Sequence, residues 1–197
     1  LDFLNQLKTN NNREWFQENK KWYEAAKKEV ETFVTAMITS ISAIDPALQT
    51  PAMKDCMFRI FRDVRFGADK SPYKTNFGAF IARGGRKSNF PGYYFHFEPG
   101  QCMLAAGVYQ PQPDTLKLLR DEVYFHAPEL KEILAKPSFK KHFDSLGDFD
   151  KMKKAPKDYP ADFPDIDLLK YRSYIVSANM EDKDIVSGNF AKVELEL

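Results

Sequence analysis

The side chains best suited to chemistry lie between Arg59 and Asn76. They run Arg59-Ile60-Phe61-Arg62-Asp63-Val64-Arg65-Phe66-Gly67-Ala68-Asp69-Lys70-Ser71-Pro72-Tyr73-Lys74-Thr75-Asn76. The cations Arg59, Arg62, Arg65, Lys70 and Lys74 accompany only two acids, Asp63 and Asp69. The excess charge must be solvated, paired to remote carboxylates or aimed at an anion, because a buried unpaired charge is strongly destabilising. Phe58, Ile60, Val64 and Phe66 share the parity of a half-buried strand, and Arg62 falls on that same parity. Three chemistries fit. One is an ion-pair network that ties the segment to the N-terminal helix through Glu14 or Glu18. The second is a site for phosphate or carboxylate, since arginine forks suit both groups. The third is a catalytic centre with Asp63 or Asp69 as base, Lys70 as electrostatic stabiliser and Tyr73 as acid.

Neighbouring features lean towards anions. From Arg59 to Lys87 eight basic residues accompany two acids. Arg83-Gly84-Gly85-Arg86-Lys87 is a basic glycine turn, either a backbone nest for an anion or an ordinary loop with solvated charges. Tyr94, His96 and Glu98 alternate on one face of a strand, where they line a cleft or form a solvated sheet face. His96 thereby joins Asp63 and Tyr73 as an acid–base candidate. A second basic concentration is Lys151, Lys153, Lys154 and Lys157.

Other chemistries lack their signatures. There is no phosphate-binding P-loop, no Gly-x-Gly-x-x-Gly, no Gly-x-Ser-x-Gly, no His-Glu-x-x-His and no Cys-x-x-Cys. His96, His126 and His142 are far apart, and the reading assigns no metal and no cofactor. Asp162, Asp165 and Asp167 read as solvated loop acids.

Elements that position these residues follow from periodicity. Residues 1–8 read as a short helix with Phe3, Leu4 and Leu7 on one side. Asn11, with Glu14 three residues on, is placed to cap a second helix. Phe16, Tyr23, Val30, Val34, Met37, Ile41 and Ile44 form an apolar stripe along it, and Asp45-Pro46 ends it. Trp15 and Trp22 beside the stripe suit helix packing better than base stacking. Met57–Phe61, Phe77–Ala82, Tyr93–Phe97 and Cys102–Tyr109 read as strands. The last two flank Glu98-Pro99-Gly100-Gln101, a type II turn sequence. Gly107, beside Ala105 and Ala106, leaves room for close packing or a ligand. Thr115–Tyr124 and Pro128–Ala135 read as helices, the first capped by Asp114, and residues 144–164 as an irregular segment. A further strand is placed near 172–178. The predicted fold is α+β. A central antiparallel sheet of about residues 57–109, plus that strand, is packed by the long N-terminal helix and C-terminal helices in a single domain of 1–197.

The chain has 197 residues, and 29 basic against 28 acidic residues leave a net charge of +1. That balance predicts no bulk attraction to nucleic acid or a membrane. A small anionic ligand is the expected partner, and nucleic acid ranks last among the ligand classes. No pattern specifies an oligomeric state. No apolar run approaches the ~20 residues of a membrane span. Cys56 and Cys102 cannot build a disulfide framework and fit a reducing, cytoplasmic compartment. Leu1 to Asn5 carries no signal core and no initiator Met, which leaves open that the natural chain extends further.

Several of these residues form an ordered pattern. Phe3-Leu4, Leu7, Asn11-Asn12-Arg13-Glu14-Trp15-Phe16, Asn19-Lys20 and Tyr23 open it. Phe58 to Phe66 and Asp69-Lys70-Ser71-Pro72-Tyr73-Lys74 form its centre. Gly92-Tyr93-Tyr94, Gly107-Val108-Tyr109-Gln110-Pro111, Leu116 with Arg120, and Lys154-Ala155-Pro156-Lys157 continue it. The pattern resembles the family catalogued as domain of unknown function 2461, over nearly the whole chain. The resemblance implies a soluble, intracellular, single-domain protein of a bacterial or fungal kind. It carries no established activity, substrate or cofactor, so no catalytic residue comes with it. Gly67, Asp158 and the ending from Phe190 to Leu197 depart from the family pattern.

The function expected is therefore recognition of a phosphate- or carboxylate-bearing ligand by Arg59, Arg62, Arg65, Lys70 and Lys74. The alternatives are an enzyme acting on a small phosphorylated or carboxylated substrate, and a structural or partner-binding module with internal ion pairs.

Overall fold

A computed structural model of the chain describes residues 1–65 and 68–186. Expectations that fall on Phe66, Gly67 and the Phe190–Leu197 ending lie outside the described residues. Four strands, β1 (Phe77–Ala82), β2 (Gly92–Phe97), β3 (Met103–Val108) and β4 (Tyr174–Asn179), form an antiparallel sheet in the order β1-β2-β3-β4. With its helices the fold is α+β. The chain divides into two compact units. One comprises residues 1–88, 92–104 and the described residues from 179 onward; the other comprises 89–91 and 105–178.

In the first unit, β1 and β2 pair from Phe77 opposite Phe97 to Ala82 opposite Gly92. The turn after β2 takes the conformation its sequence demands. Gly100 has φ +75°, and the Gln101 amide donates to the Glu98 carbonyl at 2.8 Å. Helix α1 (Asp2–Thr9) buries Phe3, Leu4 and Leu7. The long helix expected from Asn11 is broken in two, α2 (Arg13–Glu18) and α3 (Lys20–Ile44). The break falls at Asn19, whose Nδ2 donates to the Trp15 carbonyl. The cap is Asn12 rather than Asn11, with Oδ1 accepting from the Trp15 amide at 2.9 Å. Helix α3 buries Tyr23, Val34, Met37 and Ile41 of the expected stripe, together with Ile38, whereas Ile44 in its last turn is exposed, and the helix stops at Asp45. Trp15 and Trp22 pack around Phe3, at 5.9 and 5.7 Å between ring centroids.

Met57–Phe61 does not become a regular strand. It makes isolated bridges, Met57 to Ala79 and Phe61 to Tyr73. The segment divides its pairing between two partners. Phe58 N–H donates to Gly78, Arg62 N–H to Pro72, and Ile60 accepts from Lys74. Pro72 has no N–H with which to extend the second ladder. Ile60 is still buried, as the half-buried pattern predicts.

In the second unit, α5 (Pro113–Ala135) runs through both expected C-terminal helices, with a non-helical His126 between them. Its cap position is Gln112 rather than Asp114, because Pro113 opens the helix. Pro128 cannot donate to the Tyr124 carbonyl, which accounts for the kink. A short helix α6 (Pro137–His142) follows. The stretch 144–164 carries no helix or strand. Gly107 has φ +121°, and a Cβ there would lie 2.1 Å from the Tyr174 carbonyl oxygen. The space it leaves is filled by backbone. Fully buried Ser173 donates to Asp150 at 2.6 Å and accepts from the Gln110 amide.

No helix of the described residues is long and apolar enough to cross a membrane. Cys56 and Cys102 are buried free thiols, and burial pushes Cys56 up to about 11.

Candidate functional site

A cleft of about 380 Å³ lies within the first unit. It is lined by Lys8, Asn11, Arg62, Asp69, Ser71, Tyr73, Lys74, Thr75 and Asn76. Three chain segments meet there. Lys8 comes from the last turn of α1, Asn11 from the α1–α2 connection, and the others from the loop that leads into β1.

Asn11 holds two of these segments together. Its Nδ2 donates to the Tyr73 carbonyl at 2.9 Å, and its Oδ1 accepts from the Tyr73 amide at 3.1 Å. The side chain thus pairs with backbone as a strand neighbour would. It is committed to Tyr73, which is why the next asparagine caps α2. The buried Tyr73 ring stacks on Phe16, with centroids 3.9 Å apart and planes at 12°. Asn11 and Phe16 therefore fix the chain from Tyr73 to Asn76.

The loop satisfies part of its own charge. Arg62 is ion-paired with Asp69. Asp69 also accepts from Ser71, and these donors together hold its carboxyl well below the usual range. Arg65 makes a two-pronged pair with Asp63, at 2.9 and 2.6 Å, and lowers the Asp63 pKa. Lys70 donates to the Val64 carbonyl at 3.0 Å. The ion-pair network is thus local to the loop for Arg62 and Arg65.

Lys74 is different. It is half-buried, with Nζ 5.5 Å from the centre of the Phe58 ring, and has no carboxylate partner among the described residues. Burial, and then the nearby Arg59, lower its pKa. Lys8 likewise makes no ion pair among the described residues. The lining therefore sets Lys8, Arg62 and Lys74 against one carboxylate, Asp69.

Behind Thr75 and Asn76 stands a hydrogen-bonded row on β2 and its turn. Thr75 Oγ1 donates to Glu98 Oε1 at 2.7 Å. His96 Nε2 lies 3.1 Å from Glu98 Oε2, and His96 Nδ1 lies 2.8 Å from the Tyr94 hydroxyl and 3.4 Å from Asn76 Nδ2. An ionised carboxylate only accepts, so Nε2 carries a proton, and in the neutral imidazole Nδ1 then accepts. Burial would raise the Glu98 pKa, but the bonds from Thr75 and His96 outweigh it and hold the carboxyl below its ordinary value.

Of the five cations singled out by sequence, Arg62 and Lys74 line the cleft and Arg59 acts on Lys74 through its charge. Arg65 and Lys70 do not line it. Of the acid–base candidates, Tyr73 is in the lining and His96 stands behind it, with Nδ1 3.4 Å from Asn76 Nδ2. Asp63 is exposed and paired with Arg65. Two amides of the Arg83–Lys87 turn are already in use: Gly85 donates to Ala82 and Arg86 to Asp55. Lys8, Asn11, Ser71, Thr75 and Asn76 are the site residues that local reading missed. Asn11 carried one signal, a second asparagine in a position where one suffices to cap. Among the described residues no group of three or more His, Cys, Asp or Glu side chains could hold a metal ion.

Fold and cleft together define an α+β protein with a polar, positively lined pocket. A family model described as "Conserved hypothetical protein (DUF2461)" matches residues 1–196, and the chain belongs to that family. Searches of curated proteins and of solved structures each found no match.

Proposed function

We propose that this protein binds a small phosphate- or carboxylate-bearing anion in the Lys8–Arg62–Lys74 cleft. The observation that carries the reading is Lys74. An ammonium that loses water without gaining a carboxylate weakens the folded state, and an anion in the cleft would offset that loss. Lys8 adds a second cation, exposed to solvent and acting on Glu98 through its charge. Arg62 uses Nη1 for Asp69 and has further N–H donors for a ligand. Asp69 pre-orients the guanidinium and Asn11 the backbone, so little order remains to be imposed on binding. The buried free thiols fit a cytoplasmic setting.

A thermal-shift titration with inorganic phosphate tests this. At 100 times its dissociation constant a ligand stabilises by ~2.7 kcal/mol, or about 5–10 °C here. Wild-type protein should show the rise and Arg62→Ala should lose most of it. A flat response, with Arg62→Ala much less stable than wild type, would mean that the cations are scaffold.

A further inference from the structure

We infer that the cleft's ligand is a phosphate ester bearing a free hydroxyl, a phosphorylated polyol or sugar, whose hydroxyl is held by Asn76. This rests on the anion reading above and names its ligand class.

The two ends of the cleft differ in chemistry. Lys8, Arg62 and Lys74 supply charge. Thr75 and Asn76 supply neutral hydrogen-bonding groups. Thr75 is committed, because its hydroxyl donates to Glu98. Asn76 is not. His96 Nδ1 has one lone pair, and the Tyr94 hydroxyl at 2.8 Å is better placed for it than Asn76 Nδ2 at 3.4 Å. Asn76 Oδ1 and its second Nδ2 proton have no hydrogen-bond partner among the described residues. One free acceptor beside one free donor matches a hydroxyl, which both donates and accepts.

The Glu98–His96–Tyr94 row keeps Asn76 in this state. Thr75 fixes Glu98, Glu98 fixes the His96 tautomer, and His96 presents a filled lone pair to the amide. His96 and Glu98 are thus positioning residues. Lys74 and Asn76 are two residues apart, no more than about 7 Å along the chain.

Size and lining narrow the class further. At about 380 Å³ the cleft is at the small end of ligand sites. Among the described lining residues the one aromatic, Tyr73, is buried and stacked on Phe16, so it offers no open face to a nucleobase. None of the described lining residues is aliphatic, so they offer an acyl chain no surface.

The test is calorimetric titration of the full chain with inorganic phosphate, ethyl phosphate, 2-hydroxyethyl phosphate, glycerol 3-phosphate and adenosine monophosphate. Ethyl and 2-hydroxyethyl phosphate differ by one hydroxyl. The hydroxylated esters should bind about tenfold more tightly than ethyl phosphate, the return expected from one net hydrogen bond. The ratio should fall towards one in Asn76→Ala and shrink in His96→Phe. The wild-type comparison stands even if a variant fails to fold. Equal affinity for all the phosphates would overturn this inference and leave the anion reading intact. Tightest binding of adenosine monophosphate would also overturn it. Binding of none would overturn both readings.

Discussion

Two lysine- and arginine-rich stretches stand out in this chain, and they behave differently. Around Arg59–Lys74, cations converge. Two arginines take the two local acids, Lys8 arrives from α1, and Lys74 is half-buried with no acid beside it. Around Lys151–Lys157, cations disperse. Lys151 lies 4.5 Å from the centre of the Tyr171 ring and 4.0 Å from Asp167. Lys153, Lys154 and Lys157 are exposed to solvent. The second stretch is the denser in sequence, with four cations in seven residues and no acid among them. What separates them is desolvation without compensation, and only the first stretch has it. Solvated lysines are energetically near-neutral and carry little information about function.

The largest effect should come from the framework of the first stretch. Asn11→Ala leaves the Tyr73 amide and carbonyl unpaired in a buried place. Unsatisfied groups of this kind cost about 1–3 kcal/mol each. A fall in Tm of roughly 5–15 °C is expected by calorimetry. A change below about 2 °C would show that the cleft does not depend on this clamp.

A smaller effect concerns acid. The folded-state pKa of Glu98 is depressed below its ordinary 4.5, so its contribution is present above that pH and lost as pH falls through the folded value. Glu98→Gln should therefore lower Tm at pH 7, through a loss of about 1.5 kcal/mol, the low end for hydrogen bonds to a charged group. The gap between variant and wild type should close on acidification below 4.5. A gap that persists there would assign the effect to packing.

The smallest effect has the opposite sign. Lys74 has a depressed pKa, so its charge opposes folding at neutral pH, and the penalty fades as pH rises towards 10.5. Lys74→Met should raise Tm at pH 7 by a few degrees at most, the usual return for relieving a strained functional group. A clear fall in Tm would mean that Lys74 is part of the scaffold, like Arg62 with Asp69.

What could be read in the sequence was local. The hairpin between β2 and β3 was legible because Pro99 and Gly100 enforce its turn. The α3 stripe was legible from its period. The choice between Asn11 and Asn12 as cap was not, because it is decided by Tyr73, 62 residues away. Met57–Phe61 has the composition of a strand, but its pairing is shared between Ala79 and Tyr73. For the site, Arg62 and Lys74 were visible as unbalanced charge. Lys8 was invisible, because nothing in α1 marks one solvent-facing lysine among the rest.

The most direct test of the contrast is calorimetric titration of inorganic phosphate into three proteins at pH 7. They are the wild type, Lys74→Met, and the triple variant Lys153→Ala, Lys154→Ala, Lys157→Ala. A charged hydrogen bond lost from the cleft is worth about 1.5–3 kcal/mol, so Lys74→Met should weaken binding tenfold or more. The triple variant should stay within about twofold of wild type, as expected for solvated charges. Unchanged affinity in Lys74→Met, or its loss in the triple variant, would contradict the account.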